Sequence, residues 1–164
     1  MMAAMNPDTQ ETHPRTFPEN GSVDDDKRKR RMTVRFRWAL HIGEGDIDGL
    51  GHVNNVVYVR WIQEAAEAHW RSLADEALRN GIAWVVLRHE IEYRSAAMPE
   101  DNPYALTHVG ETDGLRSIRH VDIYNRDGKL LASARTTWCL IDILSRKPRR
   151  IPVEVCRVLL GEKA

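Results

Sequence analysis

From Val34 the chain alternates. In VRFRWALHI, Val34, Phe36, Trp38, Leu40 and Ile42 share one face and Arg35, Arg37, Ala39 and His41 the other, which predicts a strand with one buried face. A bend follows, GDIDGLGHVNN. Beyond it the period changes from two to that of a helix. Tyr58, Ile62, Ala65, Ala66, His69, Trp70, Leu73 and Ala77 form a broad apolar stripe. Asn54 or Asn55 is a good N-cap, and Asn80–Gly81 a stop signal. A helix of about 24 residues would reach about 36 Å at about 1.5 Å per residue. Glu67 and Arg71 make an i,i+4 pair on its wet side.

Strand-like runs fill most of the rest: AWVVLRHEIEYRS, PYALTHVGET, LRSIRHVDIYN and KLLASARTTWCLIDIL. The third and fourth flank NRDG, a hairpin signal. IPVEVCRVLL reads as a short helix with Pro152 in its first turn. Hairpin-length links leave no room for parallel crossovers, so the sheet should be antiparallel. The expected class is α+β, with about five strands wrapped around one long central helix.

Residues 1–32 lack this patterning. NPDTQETHPRTFPENGSVDDDKRKRR cannot bury enough apolar area to offset its ordering entropy, so a disordered tail is expected before a single domain over 33–164. The acidic triplet in DDDKRKRR largely cancels the neighbouring basic field. With 24 Lys+Arg against 24 Asp+Glu, the formal net charge is zero, and nothing points to nucleic acid or an anionic membrane surface. No apolar run approaches the roughly 18 residues of a membrane span, and the N-terminus has no secretory apolar region. Cys139 and Cys156 lack metal-ligand spacing and read as buried or half-buried thiols in a reducing compartment. Together these readings make a cytoplasmic protein the expectation.

The bend carries the chemistry. Asp46, Asp48, Gly51, His52, Val53, Asn54, Asn55 and Tyr58 stand in the order Asp-x-Asp-x-x-Gly-His-Val-Asn-Asn with a Tyr three positions on. This resembles the hotdog-fold acyl-CoA thioesterases of the 4-hydroxybenzoyl-CoA thioesterase type. IEYRSAAMPEDNPYAL, with Asp101 in the acidic place, and LIDILSRKPRRIP are weaker matches. In the first, Ala96 and Glu100 stand where Pro and Gly are usual. The resemblance spans residues 34–153. It implies an antiparallel sheet around one helix, and homodimers whose sheets join side by side, often paired into tetramers. It also implies an acyl-CoA or acyl-carrier-protein thioester bound at the subunit interface.

By that resemblance Asp48 is the catalytic carboxylate, a general base or a nucleophile, and the backbone N–H of Asn55 is the oxyanion donor. A helix N-terminus suits that task because its first N–H groups lack partners. Gly51, His52, Asn54, Tyr58 and Trp61 are the expected substrate-binding positions. Simpler roles compete with these: Asp46 as an Asx-turn residue, Asn54 as a cap, His52 as a loop hydrogen-bonder, Tyr58 and Trp61 as core, Glu64 as a solvated acid. Arg116, Arg119 and the basic SRKPRR turn are candidates for coenzyme A phosphates, but solvation explains the turn equally well. No metal or redox cofactor is expected, coenzyme A entering only as part of the substrate. A hydratase or dehydratase of acyl thioesters, using Asp48 with His52, and a non-catalytic acyl-CoA-binding protein are the alternatives.

Overall fold

A computed structural model describes residues 35–161; the N-terminal tail and DDDKRKRR lie outside the described residues. The elements are β1 (Phe36–Ala39), a 3-10 turn (Glu44–Asp46), α1 (Asn55–Leu73), α2 (Glu76–Arg79), β2 (Ile82–Tyr93), β3 (Tyr104–Asp113), β4 (Arg116–Tyr124), β5 (Leu130–Asp142) and α3 (Val153–Leu159). The strands form one antiparallel sheet in the order β1-β3-β4-β5-β2, and α1 crosses β1, β3 and β4.

Three expectations need correction. The first strand is shorter than its alternation, covering only Phe36–Ala39 of the expected run. The long helix stops at Leu73 rather than near Asn80. Ala74 is extended and buried, its N–H still bonded to Trp70 O, and Asp75 then caps a separate short turn by accepting from Leu78 N–H at 2.8 Å. An Asp in extended conformation offers its carboxylate to a new helix start, which competes with continuation of the old one. Pro152 likewise sits at the N-cap of α3 rather than inside its first turn.

Alternation places Ala105, Val121, Ile123, Ala132 and Ala134 beneath α1, where they pack against Tyr58, Trp61, Ile62 and Ala65. Small residues on the sheet make room for the large aromatic ones on the helix. A second apolar cluster, Ile82, Val109, Leu140, Ile151, Val155 and Leu159, lies towards α3. Among the buried polar residues are His69, Thr107, Arg119 and Thr136. Arg119 stands opposite Thr136, which stands opposite His89, so a polar seam crosses the sheet. A bulge between Val86 and Arg88 shifts the alternation of β2: it absorbs one residue and moves His89, Ile91 and Tyr93 onto the face that Trp84 and Val86 occupy upstream.

Candidate active site

The bend is built by two aspartates with separate partners. Asp46 accepts from Gly43 N–H at 2.9 Å and pairs end-on with Arg60 of α1, Oδ1 accepting from Nη1 at 3.0 Å and Oδ2 from Nη2 at 2.6 Å. Its backbone O accepts from Asn54 N–H at 2.8 Å. The Arg60 guanidinium, then the Gly43 amide, hold the Asp46 carboxyl below the usual carboxylate range. Asp46 therefore fastens the start of the bend to the helix that follows it.

Asp48 closes the bend on itself. Its Oδ1 accepts from Leu50 N–H at 2.8 Å and His52 N–H at 3.1 Å. Its backbone N–H donates to His52 O at 2.8 Å, and its backbone O accepts from Gly51 N–H at 3.0 Å. Gly51 has φ +79°, where a side chain would be strained. The His52 and Leu50 amides hold Asp48 below the usual carboxylate range, so it is ionised at neutral pH. Both of these bonds fall on Oδ1, and among the described residues none falls on Oδ2. It is the backbone of His52, not its ring, that touches the Asp48 carboxylate.

The bend ends at the N-terminus of α1. Asn54 is extended, and its Oδ1 accepts from Val56 N–H at 3.2 Å while its backbone O accepts from Val57 N–H at 2.9 Å. Asn55 N–H, the first of the helix, has no acceptor among the described residues. The Val53 N–H donates to Ala97 O, and Ala97 N–H donates to the Tyr58 hydroxyl, both at 2.9 Å. The Tyr93 hydroxyl donates to Asn55 O at 3.3 Å. The strand connection at Ala97 and the sheet edge at Tyr93 thus fix where α1 begins.

The expected site residues divide accordingly. Asp48, Gly51, His52, Asn54 and Asn55 are brought together in one turn. Tyr58 and Trp61 are instead core: both are almost wholly enclosed, and Trp61 Nε1–H donates to His41 O at 3.1 Å. Glu64 pairs with Arg60 at 3.4 Å. Arg119 is buried, which removes it as a surface contact for coenzyme A phosphates. Arg60, Tyr93 and Ala97 went unnoticed in the sequence. Arg60 alone left a usable sign, a cation one helical turn into α1 with two aspartates just upstream.

Among the described residues no group of three or more His, Cys, Asp or Glu side chains could hold a metal ion, and no helix is long and apolar enough to cross a membrane. A cavity of about 520 Å³ lies farther along, between α1 and strands β2, β4 and β5; no residue of the bend borders it.

An antiparallel five-stranded sheet laid across one long helix, which is entered through this turn, defines the hotdog class. The profile of the thioesterase-like superfamily matches residues 42–159, and the chain belongs to that superfamily. The acyl-CoA thioester hydrolase YbgC of Escherichia coli is 25% identical over 126 residues, covering 75% of this chain and 94% of YbgC. A 1,4-dihydroxy-2-naphthoyl-CoA thioesterase from Synechocystis superposes with a TM-score of 0.67 at 19% identity, over 77% of this chain and 96% of that one. A thioesterase from Thermus thermophilus, solved with coenzyme A and zinc, gives 0.67 at 19% identity, over 75% and 95%.

Proposed function

We propose that this chain hydrolyses acyl-CoA thioesters, with Asp48 as the catalytic carboxylate and the Asn55 backbone N–H as the oxyanion donor. One observation carries the reading. The ionised Asp48 is pinned through Oδ1, with Oδ2 uncommitted among the described residues, in the turn that leads into the N-terminus of α1. There Asn54 occupies the next two amides, and among the described residues the Asn55 N–H has no partner. A thioester carbonyl set against that amide would build negative charge on its oxygen where the helix N-terminus stabilises it.

Asp48 serves in either of two ways. As a general base it removes a proton from water, whose oxygen bonds to the acyl carbon; the carbon–sulfur bond then breaks and the proton passes to the thiolate. As a nucleophile it forms a mixed anhydride with loss of the thiolate, and water hydrolyses the anhydride. Either route yields a carboxylic acid and free coenzyme A. The relatives named for acyl-CoA substrates support this substrate class. The reading includes a homodimer joined along β2, whose outer edge has no neighbour in the sheet among the described residues, and a cytoplasmic setting. Gly51 and His52 are the proposed substrate neighbours in the turn, whereas Asn54, Tyr58 and Trp61 hold its frame.

The test is thiol release from short, medium, long and aromatic acyl-CoAs. Turnover that disappears in Asp48→Asn, with an unchanged melting temperature, supports the reading. Water addition to an enoyl-CoA without thiol release would replace it with a hydratase, and acyl-CoA binding without turnover would replace it with a carrier.

A further inference from the structure

Arg119 occupies a position where a sheet residue is ordinarily apolar. On β4 it faces α1 between Ser117 and Val121, and it is 5% exposed. Its Nη1 donates to His69 Nδ1 at 2.8 Å and to Thr107 Oγ1 at 3.2 Å. Neither partner carries a compensating charge. Burial, with the Arg119 charge adding to it, pulls His69 down to about 4, so its ring is neutral at pH 7. Burial pulls Arg119 down to about 10, which leaves it protonated. Among the described residues no carboxylate pairs with it, and Nε and Nη2 meet no acceptor. An enclosed cation without a counter-ion is costly to keep in a folded chain.

Arg119 also borders the 520 Å³ cavity, together with Trp70, Trp84, Trp138, Val86 and Ser117. Trp70 and Trp84 meet edge to face at 6.0 Å. The volume lies in the range of small-molecule sites, in which an apolar lining is oriented by a few polar groups. A single guanidinium matches a single negative charge. On the rim, Glu67 is held by Arg71 at 2.6 Å, so its charge is already met.

We propose that this cavity is a carboxylate-binding pocket for a flat, apolar acid: Arg119 takes the carboxylate side-on through Nε and Nη2, and the three tryptophans enclose the planar body. A planar carboxylate and a guanidinium edge form two parallel charge-assisted hydrogen bonds. The proposal goes beyond acyl-CoA hydrolysis and does not depend on it, because Asp48 and its turn do not border the cavity.

Isothermal titration of the full chain with 2-naphthoate, the neutral 2-naphthamide and adenosine 3′,5′-bisphosphate tests it. Naphthoate should bind at least tenfold more tightly than the amide, and the bisphosphate should not displace it. Arg119→Met should lose at least tenfold in naphthoate affinity, while Asp48→Asn binds naphthoate as the unmodified chain does. If Arg119→Met does not fold, the acid-against-amide comparison decides alone. Equal binding of acid and amide, unaltered binding in a folded Arg119→Met, displacement by the bisphosphate, or loss of binding in Asp48→Asn would each overturn the proposal.

Discussion

Asp46 and Asp48 stand two residues apart and are held in different ways, so their substitutions should separate. Asp46 is gripped by a guanidinium and a backbone amide. Asp46→Ala should destabilise the fold by about 1–2 kcal/mol, at the low side for charge-assisted bonds because Arg60 is half-exposed and screened; urea denaturation measures it. Asp48 touches only amides of its own turn. Asp48→Asn keeps an oxygen acceptor for Leu50 and His52 but loses the basic oxygen, so kcat should fall by about 10²–10⁴-fold with little change in melting temperature. Both carboxyls titrate below their ordinary value when folded. Their stabilisation is therefore complete above about pH 4, the unfolded range, and is lost as pH falls through the depressed folded values. By the same shift, the acid limb of kcat/KM should lie below about pH 4; a limb near pH 6 would assign the base to another group. The bend itself was legible in the sequence because Asp, Gly and Asn at these spacings carry turn and cap chemistry. The partner of Asp46 was not, since Arg60 reaches it only once α1 has set its direction. Arg119 shows the opposite case: alternation places it in phase with Val121 and Ile123, yet a buried cation is the assignment that desolvation argues against.

At the scale of elements, the start of α1 is over-determined and its end is not. The start is fixed by Asn54, Ala97, Tyr58 and Tyr93 together. Asn54→Ala should cost about 1 kcal/mol by freeing the Val56 amide, read as a lower urea midpoint with an unchanged m-value. It should also lower kcat, because a frayed first turn no longer holds the Asn55 amide in place. Tyr58→Phe removes the acceptor for a buried amide, that of Ala97, and should cost about 1–3 kcal/mol. The end of α1 departs from the apolar period for a local reason. The apolar period runs on to Ala77, but Asp75 caps a new turn and Ala74 is extended; side-chain capping overrode periodicity. The bulge in β2 was equally hidden. Val85, Val86 and Leu87 are all apolar, so the alternation cannot show where one residue is absorbed between Val86 and Arg88.

In the whole molecule, β2 is a strand left uncovered on one side among the described residues. Twelve residues long, it forms one edge of the sheet, and it exposes Val85 and Leu87, at 36% and 52%. A long edge with exposed apolar side chains is one that folded proteins protect. Pairing with a second copy of β2 would satisfy its outward amides and carbonyls, and antiparallel pairing about a two-fold axis would repeat the same contacts on both chains. β1, the other edge, has only four residues, too few for a comparable ladder. Val85→Lys with Leu87→Lys would place four like charges along such a seam, two from each copy. If the unmodified chain is the proposed dimer by light scattering after size exclusion, this variant should show the mass of a single chain, with its circular dichroism unchanged. If turnover falls in step with the dimer, the second copy completes the site beside Asp48. If the monomer retains full turnover, the turn and the helix start suffice by themselves.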